Sequence, residues 1–430
     1  MSPLTGFADL AHRRVGVYGL GIEGRATVAR LAQETVDLVV VDDVVGPPDA
    51  QRTDHGGVES LLTCDVVLKS PGISPHHPTV RTLRDAGIPI TSALNLWCTP
   101  ERRDRIIAVT GTKGKSTTTS LITFALHALG AVAQSVGNIG HPPYDPETPD
   151  EGGWLVLELS SFQSVDLTVA PARIVVTALG SDHLDWHGSV ETYRRDKLSV
   201  TRLPQPHDTF VAATDLLHQY RDALGGTVTY IDPDTTALAS TLRLLGDHSR
   251  SNVALAIAVV AHATGRTPDD VAAAMLAHAS AFTPLRGRLS VVRTIGTVRY
   301  VDDGLATSVL PTIAALDVFP DEPVALLCGG FDRGVDYAPL ADALGRRRQP
   351  TTVVVMGPAG DRIAQAITPT DLVQVRTATS MADAVDAGAA SLTRGGVVVL
   401  SPAAPSFDQY ANWQERSDDF VACVNALTAT

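Results

Sequence analysis

A stretch between residues 109 and 119 carries the residue types that bind phosphate anions. It reads Val-Thr-Gly-Thr-Lys-Gly-Lys-Ser-Thr-Thr-Thr, follows an apolar run at 106–108 and precedes apolar residues at helical spacing. This order predicts a strand, a glycine loop and a helix. Such a loop binds anions because its backbone N–H groups and the helix N-terminus carry partial positive charge. Lys115 would reach the outer phosphates of a nucleotide, and the Ser116 hydroxyl would bind Mg²⁺.

The general phosphate-loop pattern fits this stretch only in part. Val109 stands five residues before Gly114, at a position where that pattern has glycine. The alternative interpretation is a serine- and threonine-rich helix start after an ordinary turn. We favour the phosphate loop because the strand, the Gly-Lys-Ser sequence and the helix occur in the required order.

A second glycine turn lies near the N-terminus. Gly19, Gly21 and Gly24 follow a short β-type run, and Asp42 ends the next apolar run about twenty residues later. This spacing is typical of a dinucleotide-binding unit, with the acidic residue near a ribose. A purely structural turn is the alternative. A later run at 65–69 leads into Ser70, Pro71 and Gly72, a rigid loop at the strand end where open α/β sheets bind ligands.

Candidate metal ligands follow in the middle of the chain. Glu158 directly follows the apolar run 154–157. In phosphate-loop proteins, the end of such a strand is a favoured place for a carboxylate that binds Mg²⁺. Residues 182–188 hold two histidines and two aspartates, but no further Cys or His cluster supports a closed zinc site.

The elements that must position these residues alternate between strands and helices, which predicts an α/β protein. A polar, proline-bearing segment at 99–104 marks one boundary. We expect a Rossmann-like domain at 1–98, a central ATP-binding domain with a mostly parallel sheet at 99–283, and a Rossmann-like domain with another parallel sheet at 284–430.

Composition narrows the classes of function. The 430 residues carry a formal charge of −13, which argues against nucleic acid as a partner. Four scattered cysteines without CxxC spacing disfavour a disulfide framework and indicate a reducing compartment. The start of the chain is unlike a signal peptide, and no apolar run approaches membrane-spanning length. We therefore expect a cytoplasmic protein, without a membrane partner, that acts as a monomer.

Several motifs together resemble the Mur ligase family. They are the short Gly-Thr-x-Gly-Lys-Ser loop, Ser-Pro-Gly-Ile at 70–73, Gly-Asn-Ile-Gly at 137–140, Glu-Leu-Ser-Ser-Phe-Gln at 158–163 and the Ser-Pro-Ala segment at 401–403. They occur in family order over nearly the whole chain. The resemblance implies a three-domain ATP-dependent ligase that activates a carboxylate as an acyl phosphate and traps it with an amine. For the glutamate-adding group, the substrates are UDP-N-acetylmuramoyl-L-alanine and glutamate, with ATP and Mg²⁺ as cofactors.

The resemblance also implies residue roles. The UDP-sugar would be held by Gly19, Gly21, Gly24, Asp42, Ser70, Pro71, Gly72 and Asn138. ATP would be held by Gly111, Thr112, Lys113, Gly114, Lys115, Ser116, Thr117, Asn252, Arg288 and Asp303. Mg²⁺ would be held by Ser116, Glu158, His183 and a carbamylated Lys197. Lys115, His183, Lys197 and Arg288 would be catalytic, and glutamate would be held by Thr307, Arg333, Ser406 and Trp413.

Departures from the family pattern concern the stereochemistry of glutamate. Leu305 and Arg333 stand where the family has lysines, and Lys113 stands where its phosphate loop has asparagine. A changed cation relocates a carboxylate contact or alters its geometry. These changes resemble the subgroup that adds L-glutamate, which we prefer over D-glutamate. An NAD-dependent oxidoreductase, suggested by the first glycine turn, and a non-catalytic nucleotide-binding protein remain the alternatives.

Overall fold

A computed structural model of the protein describes residues 4–46, 48–148, 150–233 and 237–427. Within these ranges the chain forms three β-sheets connected by helices. Short 3₁₀ turns join some elements, at Phe7–Leu10, Thr53–His55, Arg103–Arg105, Ser199–Arg202, Arg221–Ala223 and Ala279–Ala281. No helix of the described ranges is long and apolar enough to cross a membrane.

The first sheet is parallel and has the strand order β3-β2-β1-β4-β5. Its strands are β1 (Arg14–Tyr18), β2 (Asp37–Asp42), β3 (Gln51–Arg52), β4 (Val66–Lys69) and β5 (Ile90–Thr91). Its helices are α1 (Ile22–Leu31), α2 (Gly57–Leu61), α3 (Pro78–Asp85) and α4 (Ala93–Trp97). The chain runs from β1 to β2 on one side and later returns to β4 on the other. The gap between β1 and β4 is therefore the switch point at which such sheets bind ligands.

The second sheet is also parallel, with the order β11-β10-β9-β6-β8-β7. Its strands are β6 (Ile106–Thr110), β7 (Ala133–Gly137), β8 (Trp154–Glu158), β9 (Arg173–Val176), β10 (Asp208–Ala212) and β11 (Thr227–Ile231). The helices in this part of the chain are α5 (Lys115–Ala128), α6 (Ser161–Asp166), α7 (Leu184–His187), α8 (Val190–Leu198), α9 (Asp215–Gln219), α10 (Leu238–Thr241), α11 (Asp247–Thr264) and α12 (Pro268–Ala277). Strands β6, β8 and β9 are buried because they lie between neighbours, which explains their continuous apolar sequences.

The third sheet is mixed, with the order β12-β13-β17-β14-β15-β16. Its strands are β12 (Ser290–Ile295), β13 (Val298–Asp302), β14 (Val324–Gly329), β15 (Thr351–Met356), β16 (Val373–Thr377) and β17 (Gly396–Leu400). The expectation of a wholly parallel sheet is wrong at one edge, where β12 pairs antiparallel with β13. Only Gly296 and Thr297 join these two strands, and so short a connection permits a hairpin but no crossover.

Helices cover both faces of the third sheet. They are α13 (Val309–Asp317), α14 (Ala338–Gly345), α15 (Gly357–Ala366), α16 (Met381–Ser391) and α17 (Trp413–Ala426). Because side chains alternate along a strand, Leu326 joins the core beneath α13 to α15, whereas Leu327 joins the core beneath α16 and α17.

The described chain divides into two compact units. The first contains residues up to 233 together with 250–278, and the second contains 237–249 together with 279–427. The first unit holds two sheets, so the boundary predicted after residue 98 lies inside it, between α4 and β6. That boundary and the one predicted after residue 283 stay predictions.

A buried ion pair joins the two sheets of the first unit. Lys69, at the end of β4, places its Nζ atom 2.9 Å from Asp166 Oδ2 at the end of α6. The Lys69 side chain is 2% exposed and also donates to the carbonyl oxygens of Ser70 and Ile73. Burial raises the pKa of Asp166, and the charge of Lys69 opposes that rise. The pair thus offsets a desolvation cost, and neither partner can be removed cheaply.

We predict that Lys69→Ala lowers the free energy of unfolding by about 3 kcal/mol, because it leaves a buried carboxylate without its cation. Urea denaturation followed by circular dichroism measures the change. The matched control is Asp37→Ala, which breaks the exposed Arg14–Asp37 pair and should change stability by less than about 1 kcal/mol. Equal losses in the two variants would contradict a structural role for the buried pair.

Candidate functional site

The glycine loop of the second sheet has the predicted geometry of strand, loop and helix. It connects β6 to α5, and Lys115 donates from Nζ to the carbonyl oxygens of Gly111 (3.0 Å) and Thr112 (3.4 Å). Thr177, which follows β9, donates to Lys113 O at 2.6 Å and so fixes the path of the loop. A Cβ atom at Gly111 would collide with the Thr177 hydroxyl and crowd Ala178, and the Gly111 φ angle is +140°. Glycine is therefore required at this position.

The other residues predicted for ATP in the first unit lie on or beside this loop. Ser116 is buried at the start of α5, whereas Lys113 is exposed. Thr112 accepts hydrogen bonds on Oγ1 from Gly180 N and Tyr193 Oη, both at 2.9 Å. Asn252, on α11, lies against Gly114, and its buried Nδ2 has no hydrogen-bond partner among the described residues. Asn252 therefore lies beside the loop with an amide N–H group that has no partner among the described residues.

The first glycine turn lies at the switch point of the first sheet. Gly19 to Gly21 connect β1 to α1, Gly24 lies in the first turn of α1, and Ser70, after β4, donates from Oγ to Gly19 O at 2.7 Å. Pro71 and Gly72 continue that second loop. A Cβ atom at Gly24 would collide with Gly19 O, so the third glycine allows the turn to pack on its own helix.

Asp42 supports this turn because its carboxylate accepts hydrogen bonds from backbone N–H groups. The Asp42 carboxylate accepts hydrogen bonds from Leu20 N at 2.6 Å and from Val44 N and Val45 N at 2.7 Å. Although burial opposes the effect, the backbone N–H groups lower the pKa of Asp42. The carboxylate thus remains charged and fixes the loop around the site.

A buried carboxylate with one unpaired oxygen lies at the end of β8. Glu158 is 1% exposed, and its Oε1 accepts from Asn138 Nδ2 at 3.2 Å. Its Oε2 has no partner among the described residues. A desolvated anionic oxygen of this kind is completed by a cation, so the residues present fit a bound Mg²⁺. In the described part of the chain, no group of three or more His, Cys, Asp or Glu has metal-binding geometry.

Lys197, on α8, supplies an unusual amine to the same region. It is 2% exposed, and its Nζ lies 4.9 Å from the centre of the Tyr193 ring. Burial, together with the charge of Lys115, lowers the pKa of Lys197 to about 7. A large neutral fraction at neutral pH follows, and the neutral amine is the form that adds CO₂.

The two histidines of 182–188 have different environments. His183 is half-exposed, has a φ angle of +49° and packs its ring 4.9 Å from that of Phe162. The His187 side chain is fully buried, with Nδ1 at 2.7 Å from Asp196 Oδ2 and Nε2 at 3.0 Å from Ser161 Oγ. Burial lowers the pKa of His187, so its ring is neutral. His183 is thus the histidine available to a ligand.

One cavity of about 670 Å³ runs through these groups in the first unit. It begins at Gly19, Asp42 and Ser70 and reaches Lys115 and Lys197. Gly21, Pro71, Gly72, Thr112, Asn138 and His183 also line it. The predicted sugar-nucleotide residues other than Gly24 and two residues of the phosphate loop therefore face one continuous space.

Glu23 is a cavity residue that the sequence did not indicate. It follows the glycine turn and accepts hydrogen bonds from Gln163 Nε2, at 2.6 Å, and from the Tyr144 hydroxyl. Burial raises the pKa of Glu23. Its two partners lie more than a hundred residues away along the chain. The only sequence signal for Glu23 is therefore its position immediately before the third glycine of the motif.

In the second unit, the loops that follow three neighbouring strands carry three of the residues predicted to bind glutamate. Strands β13, β17 and β14 are parallel, so their carboxyl ends place Thr307, Ser406 and Arg333 at one edge. Arg333 is exposed and Ser406 is buried.

Arg416, on α17, connects the three loops that follow these strands. Its guanidinium donates to Gly329 O (3.4 Å), Ala404 O (3.0 Å) and Gly304 O (3.2 Å). Burial lowers the pKa of Arg416 to about 10, which leaves it charged at neutral pH. The cation therefore holds together the backbone of the predicted glutamate site.

The remaining predicted residues of the second unit surround the same loops. Trp413 packs its ring against Gly287, and Arg288 follows that glycine in the chain. Asp303 accepts a hydrogen bond from Ser401 Oγ at 2.8 Å, and burial raises the pKa of Asp303 to about 7. Its ionisation is thus sensitive to nearby charge at neutral pH.

The lysines of the chain are few and concentrated. The sequence has four, at positions 69, 113, 115 and 197. Lys113 and Lys115 belong to the phosphate loop, Lys197 lines the cavity, and Lys69 ends β4 beside the Ser70 loop. All the remaining basic side chains of the sequence are arginines and histidines.

Comparison with known proteins connects this geometry with one family. Residues 13–92 match the model described as Mur ligase MurD-like, N-terminal domain, and residues 109–224 match Mur ligase middle domain. A Micromonospora protein named UDP-N-acetylmuramoyl-L-alanine–L-glutamate ligase is 36% identical over 97% of each chain. A Xanthomonas euvesicatoria protein of the same name is 32% identical over 96% of this chain and 95% of its own.

Solved structures agree on the fold. The UDP-N-acetylmuramate–alanine ligase of Thermotoga maritima superposes with a TM-score of 0.55 and 18% identity, covering 96% of this chain and all of its own. The MurF ligase of the same organism, solved with ADP, gives a TM-score of 0.52 and 15% identity over 98% of each chain. The α/β fold class predicted from the sequence is confirmed.

We predict that Gly111→Ala weakens ADP binding at least tenfold, because the new methyl group displaces Thr177 from the loop. Isothermal titration calorimetry measures the affinity. The matched control is Gly130→Ala after α5, where φ is also positive (+79°) but a Cβ atom would meet no neighbour within 4 Å. Both variants bear the backbone cost of alanine at positive φ. Equal ADP affinity in the two would show that the crowding at Gly111 is unimportant.

Proposed function

The chain belongs to the Mur ligase family, and from that premise we propose that it joins L-glutamate to UDP-N-acetylmuramoyl-L-alanine at the expense of ATP. The products are ADP, phosphate and a new peptide bond in a peptidoglycan precursor. The relatives that match over nearly the full length carry the name of this ligase, which leaves no room for the oxidoreductase that the first glycine turn alone allowed.

The observation that carries the proposal is the continuous cavity of the first unit described above. A turn built for a diphosphate lies at one end of it and a loop built for a triphosphate at the other. A reaction between two phosphorylated molecules needs both within one space. The proposed UDP-sugar would therefore extend its terminal carboxylate towards Lys115 and the bound nucleotide.

In the first step, the carboxylate attacks the γ-phosphorus of ATP, giving an acyl phosphate and releasing ADP. Lys115, and in our proposal Arg288, neutralise charge on the transferred group. We propose that Ser116, Glu158, His183 and carbamylated Lys197 hold Mg²⁺. When bound, Mg²⁺ would lower the charge repulsion between the phosphates and the incoming carboxylate.

In the second step, the amine of glutamate attacks the acyl carbon and phosphate leaves, with loss of a proton from nitrogen. We propose that the loops ending β13, β17 and β14 hold the glutamate carboxylates, with Arg333 as the principal cation. An arginine binds a carboxylate through two parallel hydrogen bonds, whereas a lysine acts as a point charge. Leu305 stands where the family has a second cation, a lysine. Without that charge, the glutamate must lie differently from a glutamate held by two lysines.

The proposed reaction is tested by phosphate release from ATP with Mg²⁺ and UDP-N-acetylmuramoyl-L-alanine, with L-glutamate or D-glutamate as acceptor. We expect faster release with L-glutamate, in agreement with the names of the relatives. Omission of the UDP-sugar is the control for simple ATP hydrolysis. Faster release with D-glutamate would overturn the stereochemical part, and equal release with and without either amino acid would overturn the whole.

We predict that Arg333→Ala raises the KM for glutamate about tenfold or more, because one charge-assisted contact with a carboxylate is worth about 1.5–3 kcal/mol. The KM values for ATP and for the UDP-sugar should change less than about twofold. Steady-state kinetics with each substrate varied in turn measures this selectivity. Arg348→Ala, which removes another exposed arginine of the same unit, is the control. A rise in all three KM values would count against a specific glutamate contact.

A further inference from the structure

A hydrogen-bonded chain of three side chains, two of them buried and the third partly buried, connects helices α6, α7 and α8. The His187 ring lies between Asp196 (Nδ1 to Oδ2, 2.7 Å) and Ser161 (Nε2 to Oγ, 3.0 Å). A neutral ring protonated on Nδ1 donates to the carboxylate and accepts from the hydroxyl, so one tautomer satisfies both contacts. The His187 side chain is 0% exposed, and Ser161 is 1% exposed. We name these residues the Ser–His–Asp chain.

Each member of the Ser–His–Asp chain is close in sequence to one proposed metal ligand. Ser161 begins the helix that follows Glu158, and His187 ends the helix that follows His183. Asp196 immediately precedes Lys197 on α8. Three segments that must converge to hold one ion are therefore joined by two hydrogen bonds, one buried and one partly buried.

Aromatic packing makes the arrangement rigid. The ring of Phe162 stacks on His187 with centroids 5.6 Å apart, and the same Phe162 ring lies 4.9 Å from His183. Tyr193 meets the other side of His187 edge-on at 5.2 Å and donates its hydroxyl to Thr112 of the phosphate loop. A change in the position of His187 would thus be felt by both the proposed metal site and the nucleotide loop.

The order serine, histidine, carboxylate is also that of a serine hydrolase. A nucleophile must be reached by its substrate, and Ser161, although it borders the cavity, is only 1% exposed. The hydroxyl also lies at the first position of a helix whose preceding strand ends at the unpaired Glu158 oxygen. These features favour a positioning role over a nucleophilic one.

We propose that Ser161, His187 and Asp196 are positioning residues that hold Glu158, His183 and Lys197 in the arrangement needed to bind the divalent cation. This inference rests on the proposed function, because it takes the metal ligands from there. In metal proteins, residues that hydrogen-bond to the ligands hold those ligands in place, and loss of one such residue typically lowers metal affinity about 10- to 100-fold. The Ser–His–Asp chain would act in the same way on the segments that carry the proposed ligands.

The test measures metal binding directly. Mn²⁺, as a paramagnetic stand-in for Mg²⁺, is titrated into the full-length enzyme with ADP in bicarbonate buffer, and free ion is counted by electron paramagnetic resonance. We expect His187→Gln to weaken Mn²⁺ binding about tenfold, because glutamine cannot reach both partners with ring geometry. Ser161→Ala should weaken it similarly, whereas Asp196→Asn, which keeps an acceptor oxygen, should remain near wild type.

A buried histidine elsewhere in the first unit provides the matched control. His207 has ring nitrogens 2.7 Å from Gln205 O and 2.8 Å from Thr201 O and does not line the cavity. His207→Gln should lower the melting temperature as His187→Gln does, with Mn²⁺ affinity unchanged. Equal loss of Mn²⁺ affinity in both histidine variants would overturn the inference, since it would be an effect of stability alone.

Kinetics separates this inference from the ligase proposal. In His187→Gln the half-saturating Mg²⁺ concentration should rise about tenfold, while the KM for UDP-N-acetylmuramoyl-L-alanine changes less than about twofold. Wild-type turnover with glutamate tests the ligase itself. An active wild type combined with unchanged Mn²⁺ affinity in folded His187→Gln would leave the ligase intact and overturn the positioning role. Unchanged Mn²⁺ affinity in Glu158→Gln would remove the metal site and this inference with it.

Discussion

Parallel strand pairing gathers every loop that follows a strand at one edge of its sheet, and each proposed binding region depends on that edge. In the first sheet, β1 and β4 deliver the glycine turn and the Ser70 loop side by side. In the second, β6 and β8 deliver the phosphate loop and Glu158. A protein with a formal charge of −13 can therefore hold phosphates through backbone N–H groups and a few well-placed cations.

Burial has opposite consequences in different parts of the molecule. Where folding pairs polar groups, as with Lys69 and Asp166 or with the two terminal nitrogens of Arg416 and three carbonyl oxygens, burial gives a fixed link between segments. Where folding leaves a group incomplete, as with Glu158 Oε2, the cost of desolvation remains until a ligand arrives. The incomplete oxygen belongs to a carboxylate that accepts from Asn138, a residue of the cavity wall, so the proposed cation would complete it there.

Local sequence was sufficient to predict the elements, because a strand, a glycine loop and a helix each have a signal within about ten residues. It also predicted a metal-binding role for Glu158 from its place at a strand end, whereas Lys197 was predicted only through a family resemblance. The hydrogen bond of Glu23 to Gln163, the Ser–His–Asp chain and the Lys69 pair join segments far apart in sequence, and no local pattern encodes them. The antiparallel β12 was missed because the partly buried sequence Ser-Val-Val-Arg-Thr-Ile does not reveal the direction of its neighbour.

The distribution of lysine has a practical consequence for chemistry on this protein. Of its four lysines, two are buried and the other two belong to the phosphate loop. An amine-directed reagent would therefore modify the folded chain mainly at the lysines of the phosphate loop and at Lys197, which lines the cavity and has a pKa lowered to about 7. Lysine acylation, an indiscriminate surface modification in most proteins, becomes here a footprint of whether that loop is occupied.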